Sequence, residues 1–220
     1  ILIFFCLCKN YSLKIGLLFF LNPITIFITG FHNQFDNLAI LLGFLSVLLY
    51  EKNNKDNKIV IPLIILGISL CAKHIMLFFP IWLFFKERNI SKKFLILLVP
   101  YSIFFISFLP YLNDLTHIVD NVFLYNSQDN GPFWTMFIPK IFHMYFEKKT
   151  MFALLIIILG FLFRKKNWLN SYLLYLLSIV VFSSAIANQY LVIPLIALSI
   201  WWNSKYFIYT FLCCIIFLLD

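Results

Sequence analysis

A short polar cluster interrupts an otherwise apolar N-terminal region of the sequence. Residues 30–37 read Gly-Phe-His-Asn-Gln-Phe-Asp-Asn and lie between apolar runs at 15–29 and 38–50. Gly30 can permit a tight turn, and the polar side chains supply the mixed donors and acceptors that sugar hydroxyls or a hydrated phosphate require; they are His32, Asn33, Gln34, Asp36 and Asn37. The alternative interpretation is a short solvated loop in which Asp36 or Asn37 only caps the next helix.

A second candidate is the pair Lys73-His74, which lies inside the apolar stretch 59–85. Within a lipid bilayer a lysine costs on the order of 2.5–3.5 kcal/mol unless it finds water or an anion. A bound phosphate would compensate for that cost, so the pair is a candidate phosphate clamp. The alternative is a lysine that extends to the lipid headgroups and has no role with a substrate.

Two further polar segments could contribute to a site. Asn188-Gln189-Tyr190 follows an apolar run, and the long loop from Asn113 to Gly131 carries acidic and histidine side chains without Lys or Arg. Those side chains, Asp114, His117, Asp120 and Asp129, fit an acid, base or metal role and fit a solvated acidic loop equally well. The sequence contains no Gly-rich phosphate loop, nucleophile elbow or HExxH zinc helix, so none of the enzyme classes that depend on those motifs is indicated.

Composition indicates the environment of these residues. Hydrophobic residues make up 63% of the chain, charged residues 12%, and mean hydropathy is +0.95, well beyond ordinary soluble domains. The net charge of +8 comes from basic residues in short loops between apolar runs rather than from one basic face. This pattern predicts an integral, multi-pass membrane protein with no nucleic-acid partner.

The apolar runs predict an all-α, polytopic transmembrane helix bundle with about nine membrane segments, several of them short or broken. The runs lie near 1–8, 15–29, 37–50, 59–72, 75–85, 94–112, 151–163, 168–187, 190–202 and 206–219. Residues 132–150 predict an amphipathic helix lying in the membrane interface. We interpret residues 1–220 as one transmembrane domain. Because the chain starts at Ile1 without a methionine and stops directly after an apolar run, we expect it to be a fragment of a longer protein.

Loop charge predicts how the segments cross the membrane. If residues 59–85 form two short pieces hinged at Lys73-His74, the basic loops at 9–14, 51–58, 86–93, 164–166 and 203–205 share the cytoplasmic side. The basic residues left on the other side are Lys73, Lys140, Lys148 and Lys149. The same threading brings residues 30–37, Lys73-His74, the 113–131 loop and Asn188-Gln189-Tyr190 together on the non-cytoplasmic face.

Four stretches of the chain resemble the GT-C superfamily of polytopic glycosyltransferases, especially its polyprenyl-phosphate-sugar-dependent, mannosyltransferase-like members. They span roughly residues 22–200 and recur in the family's order. They are Asn22-Pro23-Ile24 running into 30–36; Leu66-Gly67-Ile68 through Lys73 to Pro80; 121–127 with Gly131 and Trp134 following; and Ala187 to Leu191 ahead of Pro194.

The resemblance implies inverting transfer of a hexose, with mannose the candidate sugar, from a polyprenyl-phosphate donor to a glycan, lipid or protein acceptor. By the same resemblance Lys73 and His74 would meet the donor phosphate. The sugar and acceptor pocket would be lined by His32, Gln34, Asp36, Gln189 and Tyr190. The carboxylate base of the family lies in a first outer loop, which we expect upstream of Ile1, so the catalytic base stays unassigned and the fragment alone would lack it.

The expected location is therefore a bacterial inner or plasma membrane, or the endoplasmic reticulum membrane in a eukaryote. No metal-ligand spacing is evident and no cofactor is implied, although the residues leave a divalent cation requirement open. The competing hypotheses are a transporter or a lipid or glycan flippase, because hinged short helices with polar breaks also form carrier sites, and an accessory membrane subunit without chemistry.

Overall fold

The computed structural model describes residues 1–31, 36–53, 58–123, 148–182 and 188–219, and in these ranges every regular element is helical and no β-strand occurs. The predicted all-α class is therefore confirmed. The α-helices are α1 (Leu2–Asn10), α2 (Leu13–Phe20), α3 (Pro23–Ile26), α4 (Asp36–Asn53), α5 (Val60–Ala72), α6 (Phe79–Lys86), α7 (Ile90–Ile106), α8 (Leu115–Ile118), α9 (Lys148–Leu162), α10 (Trp168–Phe182), α11 (Leu195–Ile200) and α12 (Ser204–Leu219).

Most of these helices are short. In the described ranges no single helix combines the length and the apolar character needed to cross a membrane. Two bent pairs meet both requirements when their halves are taken together: Leu13–Phe20 with Pro23–Gly30, bent by 59°, and Ile90–Ile106 with Leu109–Ile118, bent by 58°. The predicted apolar runs 15–29 and 94–112 are thus each broken by a bend.

The first break has a clear local cause. Pro23 cannot continue α2 because it lacks a backbone N–H and its ring clashes with the preceding turn. Asn22 instead starts a new helix, since its side-chain oxygen accepts a hydrogen bond from the N–H of Ile24 (3.0 Å). The π-helical turn Phe27–Phe31 follows α3. Gly30 lies in that turn without a left-handed φ.

The hinge at Lys73-His74 is confirmed. Helix α5 ends at Ala72, Lys73 is extended (φ −163°, ψ 137°), and a single 3₁₀ turn at His74–Met76 leads towards α6. Two tyrosine hydroxyls bind the backbone that this break exposes. Tyr175 donates to the carbonyl of Ile75 (2.6 Å) and Tyr101 donates to the carbonyl of Leu77 (2.7 Å), so two carbonyls of the break are bound by side chains from other helices.

Helices α4 and α5 pack as a close antiparallel pair. The Ser69 hydroxyl donates to the carbonyl of Ala39 (2.7 Å), and the Ser46 hydroxyl donates to the carbonyl of Pro62 (2.8 Å). Both bonds are buried and join the two backbones through small side chains, which is how helices approach closely. They fix the register in which the start of α4 meets the end of α5.

An aromatic layer fills the centre of the bundle between α6, α9 and α10. Trp82 is buried, its indole N–H donates to the carbonyl of Ile156 (2.9 Å), and its ring meets Tyr175 edge-on at 5.3 Å between centroids. Phe79 packs against Tyr172 and Tyr175 at 5.4 and 5.1 Å. Such pairs add about 0.5–1.5 kcal/mol each beyond burial of their area.

The outside of the bundle is apolar as well. Large hydrophobic side chains are exposed along most helices, among them Phe94 (68%) and Leu98 (65%) on α7 and Phe211 (66%) on α12. Soluble monomers rarely expose apolar patches beyond a few hundred Å².

The loops with the basic residues meet at one end of the bundle, which we call the basic end: residues 10–14, 50–53, 86–89, 164–168 and 202–205. The Tyr50 hydroxyl donates to Glu87 (3.0 Å), and the ammonium of Lys86 donates to the carbonyl of Arg164 (3.4 Å). The Glu51 carboxylate accepts from the N–H of Leu169 (3.1 Å). Burial, with a smaller contribution from the nearby Glu51 charge, raises the pKa of Tyr11 to about 12. The Lys14 ammonium lies 3.7 Å from the centroid of the Trp202 ring, which joins the 10–14 and 202–205 loops.

Two other predicted features fall partly or wholly beyond the described ranges. Of the expected interfacial helix at 132–150, residues 132–147 lie outside them, and 148–150 belong to the first turn of α9. In the 113–131 loop the described part is helical to Phe123, and His117 and Asp114 form an exposed pair at 3.7 Å.

The close approach of Gly160 to Trp82 gives a test of the packing. A Cβ at Gly160 would lie 2.6 Å from the Trp82 ring. The ring cannot move away without breaking its hydrogen bond to the carbonyl of Ile156, which lies in the same helix as Gly160. Overpacking costs about 1–3 kcal/mol and alanine returns up to about 1 kcal/mol of helix propensity. Gly160→Ala should therefore lower the free energy of unfolding by about 1–2 kcal/mol in detergent. Gly30→Ala should not lower the free energy of unfolding, because no atom lies within 4 Å of the added Cβ. Equal losses of unfolding free energy in the two variants would contradict the described packing of Gly160 against Trp82.

The basic end should respond to acid through Glu87. Burial alone would raise the pKa of Glu87, but hydrogen bonds from the N–H of Asn89, the Tyr50 hydroxyl and the N–H of Arg88 outweigh it, and the pKa lies below the ordinary value of 4.5. A depressed carboxyl pKa stabilises the fold above the unfolded-state pKa, and this contribution is lost as pH falls through the folded-state pKa. Wild type should lose stability below pH 4.5 relative to Glu87→Gln, measured by thermal unfolding from pH 7 to 3. Parallel curves would refute this.

Candidate functional site

The candidate site is built on an ion pair between Asp36 and Lys73. Asp36 lies in the first turn of α4, and Lys73 is the residue that ends α5. The Asp36 side chain is 1% exposed and the Lys73 side chain 18%. The pair is thus shielded on the carboxylate side and open on the ammonium side.

The register of α4 and α5 explains why these two residues meet. In the antiparallel pair Ala39 lies opposite Ser69, and Ser46 lies opposite Pro62. Asp36 is three residues before Ala39 and Lys73 is four residues after Ser69, so the same register brings them together. The helix dipoles also favour the arrangement, because the carboxylate lies at a helix N-terminus and the ammonium at a helix C-terminus.

Tyr190 covers the ion pair from a different part of the chain. It lies in the 3₁₀ segment Asn188–Val192, and the Lys73 ammonium is 5.2 Å from the centroid of its ring. A cation at this distance from an aromatic face is attracted by the ring, by about 0.5–2 kcal/mol depending on desolvation. Lys73 therefore contacts a carboxylate and an aromatic face and keeps a partly exposed ammonium.

Other polar groups surround the pair. His74 follows Lys73 in the hinge and is partly buried. Asn37 donates its amide to the Thr29 hydroxyl (2.6 Å), which ties the start of α4 to the π-helical turn before it. Apart from the ion pair, the Asp36 carboxylate oxygens have no hydrogen-bond partner among the described residues. Both oxygens are buried within the protein.

Energetics argue against a purely stabilising role for the pair. Removing two charges from water costs several kcal/mol per ion, and replacement of a buried pair by apolar residues is often neutral or stabilising. Asp36 and Lys73 nevertheless lie together within a bundle of largely apolar helices. Ionisable residues in such surroundings usually mark a functional site.

The structure brings together three of the predicted site residues, Asp36, Lys73 and Tyr190, and places His74 beside them. Gln189 precedes Tyr190 in the 3₁₀ segment. His32 and Gln34 lie outside the described residues. The sequence predicted an anion for Lys73, and the structure supplies one from the chain itself.

Sequence reasoning missed the residues that hold the hinge. Tyr175 and Tyr101 bind its backbone carbonyls, and the Tyr175 hydroxyl also accepts from the N–H of Phe78 (3.3 Å). The available signal was a tyrosine in the middle of an apolar helix, where a hydroxyl must find a partner. Among the described residues no group of three or more His, Cys, Asp or Glu side chains could hold a metal ion.

Comparison with known proteins yields no relative: no family model, curated protein or solved structure matches this chain.

The ion pair should show strong energetic coupling. Lys73→Met leaves a buried carboxylate without its counter-charge, and Asp36→Asn leaves the ammonium without its anion, so each change should cost about 3–5 kcal/mol of unfolding free energy. The double variant removes both charges and should recover most of the loss. Chemical denaturation in detergent for the wild type, both single variants and the double variant measures the coupling. Additive losses would show that the two residues do not act as a pair.

Proposed function

We propose that this chain belongs to a polytopic membrane glycosyltransferase of the GT-C type, which transfers a hexose from a polyprenyl-phosphate donor to a glycan, lipid or protein acceptor. The observation that carries the proposal is the buried Asp36–Lys73 pair beside Tyr190 and His74. The pair supplies a cation for a phosphate, held in place by a buried carboxylate. A donor that leaves as a lipid phosphate requires such a cation.

The membrane location is supported by the surface of the bundle. Apolar side chains are exposed on most helices, with Ile61, Phe94 and Phe211 as examples. Two bent helix pairs have the combined length and composition of a broken span. The bound tyrosine hydroxyls at the Lys73–Phe78 break also suit a bilayer, where exposed backbone groups must be satisfied by protein.

The candidate site and the basic loops lie towards opposite ends of the bundle. Helix α4 runs from Asp36 at the site to Tyr50 and Glu51 at the basic end, a distance of about 20–25 Å at 1.5 Å per residue. Basic loops favour the cytoplasmic side. We therefore place the site near the opposite, non-cytoplasmic face, where it would meet a donor presented from that leaflet.

In the proposed reaction an acceptor hydroxyl oxygen attacks the anomeric carbon of the donor sugar. The bond from that carbon to the phosphate oxygen breaks, and its electron pair leaves with polyprenyl phosphate. The hydroxyl proton passes to a carboxylate base that is not among the residues assigned here. Lys73 acts by stabilising the charge that grows on the leaving phosphate, an effect worth about 10²–10³ in rate for one such donor.

In this scheme the charge of Asp36 holds Lys73 in place while the site is empty, and the Lys73 side chain stays partly exposed for the phosphate. The Asp36 oxygens are buried, so a direct bond from Asp36 to the sugar or the acceptor requires the site to open on binding. The other predicted pocket residues are His32, Gln34, Gln189 and Tyr190. His74 would assist at the donor phosphate.

The test is transfer of radiolabelled mannose by the full gene product in liposomes, from polyprenyl phosphomannose and separately from a nucleotide sugar. Lys73→Ala should reduce transfer from the lipid donor by about 100-fold or more. Lys93→Ala is the matched control, because Lys93 is also partly buried and lies 5.0 Å above an aromatic ring, that of Phe84. It lies in the first turn of α7, next to the basic end, and should leave transfer unchanged.

The Lys73→Ala/Asp36→Asn double variant separates chemistry from folding, since it contains no buried unpaired charge. It should fold and remain inactive. Transfer that survives in the folded double variant would refute the role of Lys73. If neither donor supports transfer to any of several acceptors, the result favours the competing hypothesis of a transporter or a lipid or glycan flippase.

A further inference from the structure

A groove between α2 and α12 opens on the outside of the bundle, remote from the Asp36–Lys73 site. Its volume is about 600 Å³, and its walls include Leu17, Leu21 and Phe207. All three side chains are exposed, so the groove is open to the surroundings. Lys14 and Asn22 also line it.

The two helices run parallel, with contacts that advance by one turn on each. Lys14 lies over the Trp202 ring (3.7 Å to the centroid), the Leu18 carbonyl accepts from the Tyr206 hydroxyl (2.6 Å), and Asn22 donates to Thr210 (2.8 Å). The groove therefore follows α2 for about 12 Å at 1.5 Å per residue. Lys14 stands at the basic end, and Asn22 lies deeper in the bundle.

The polar groups in the groove have their partners already. The Asn22 amide donates to both Tyr206 (2.9 Å) and Thr210, and its oxygen accepts from the N–H of Ile24. The Tyr206 hydroxyl donates to the Leu18 carbonyl. Asn22 and Tyr206 thus have their hydrogen-bond partners within the protein, and the walls are leucine and phenylalanine. What fits between them is a hydrocarbon chain.

The charged side chains at one end of the groove indicate which kind of hydrocarbon ligand it binds. Lys14 is exposed at the mouth, Lys205 lies in the first turn of α12 at the same end, and no Asp or Glu lines the groove. Both helices also begin at this end, so their dipoles have the same sign as the lysines. The Trp202 ring beside Lys14 suits the level of the headgroups.

We propose that this groove binds one anionic glycerophospholipid, with an acyl chain along α2 and the phosphate at Lys14. The proposal depends on the membrane location proposed above but not on sugar transfer. The lipid comes from the leaflet at the basic end, which in the proposed orientation is the cytoplasmic leaflet, where anionic lipids attract basic residues. The site is therefore distinct from the pocket proposed for the polyprenyl-phosphate donor.

Native mass spectrometry of the full gene product in detergent tests the proposal. The probes are phosphatidylglycerol and phosphatidylcholine with identical acyl chains, added in equal amounts. Wild type should retain phosphatidylglycerol about fivefold more than phosphatidylcholine, since one lysine near a phosphate contributes roughly that factor. Lys14→Gln should abolish the preference, and Lys14→Arg should keep it.

Two further variants complete the design. Lys93→Gln removes a lysine that also lies over an aromatic ring near the basic end, and it should leave the preference intact. Leu17→Trp fills the groove and should lower retention of both lipids. Equal retention of the two lipids by wild type, survival of the preference in Lys14→Gln, or its loss in Lys93→Gln would each overturn the proposal. Because no sugar donor is present, failure of glycosyl transfer would not affect the result.

Discussion

The Asp36–Lys73 ion pair is the interaction on which the proposed site depends, and desolvation is the constraint behind it. Neither charge could be held in apolar surroundings without the other. The α4–α5 register therefore has to bring the first turn of one helix to the end of the other. The hydroxyls of Ser69 and Ser46 set that register through buried bonds to opposite carbonyls, so two serine side chains well inside the bundle determine where the charged pair forms.

The same constraint governs the hinge. Ending α5 at Ala72 turns Lys73 out of the helix and towards Asp36, but it also exposes backbone groups from Lys73 to Phe78. Tyr175 and Tyr101 bind those carbonyls from α10 and α7, so the break is held by helices distant in sequence. Tyr175 is also part of the aromatic layer around Trp82. The site is thus supported by the core of the bundle rather than by its own loop.

The bundle separates two kinds of charge. At the basic end Glu51 and Lys86 bind backbone groups of neighbouring segments. Glu87 accepts from the Tyr50 hydroxyl and from the backbone of its own loop, so these charges hold the helix ends together. Towards the opposite end Asp36 and Lys73 bind each other, and the lysine side chain stays partly exposed. The structural roles and the proposed chemical roles of charge are therefore about one helix length apart, and the lipid groove begins at the end without the proposed chemistry.

The sequence by itself determined the all-helical class, most helix positions, the hinge at Lys73-His74 and the need of Lys73 for an anion, because apolar periodicity, proline and the cost of an isolated charge are local properties. It predicted Asp36, Lys73 and Tyr190 as site residues, but it assigned Lys73 to a substrate phosphate alone. Only the tertiary structure decided that Asp36 is its partner and that Tyr175 and Tyr101 hold the hinge. Those facts depend on which helices pack together and in what register. Residues 36, 73, 101 and 175 are far apart in sequence, and no local pattern encodes the close packing that joins them.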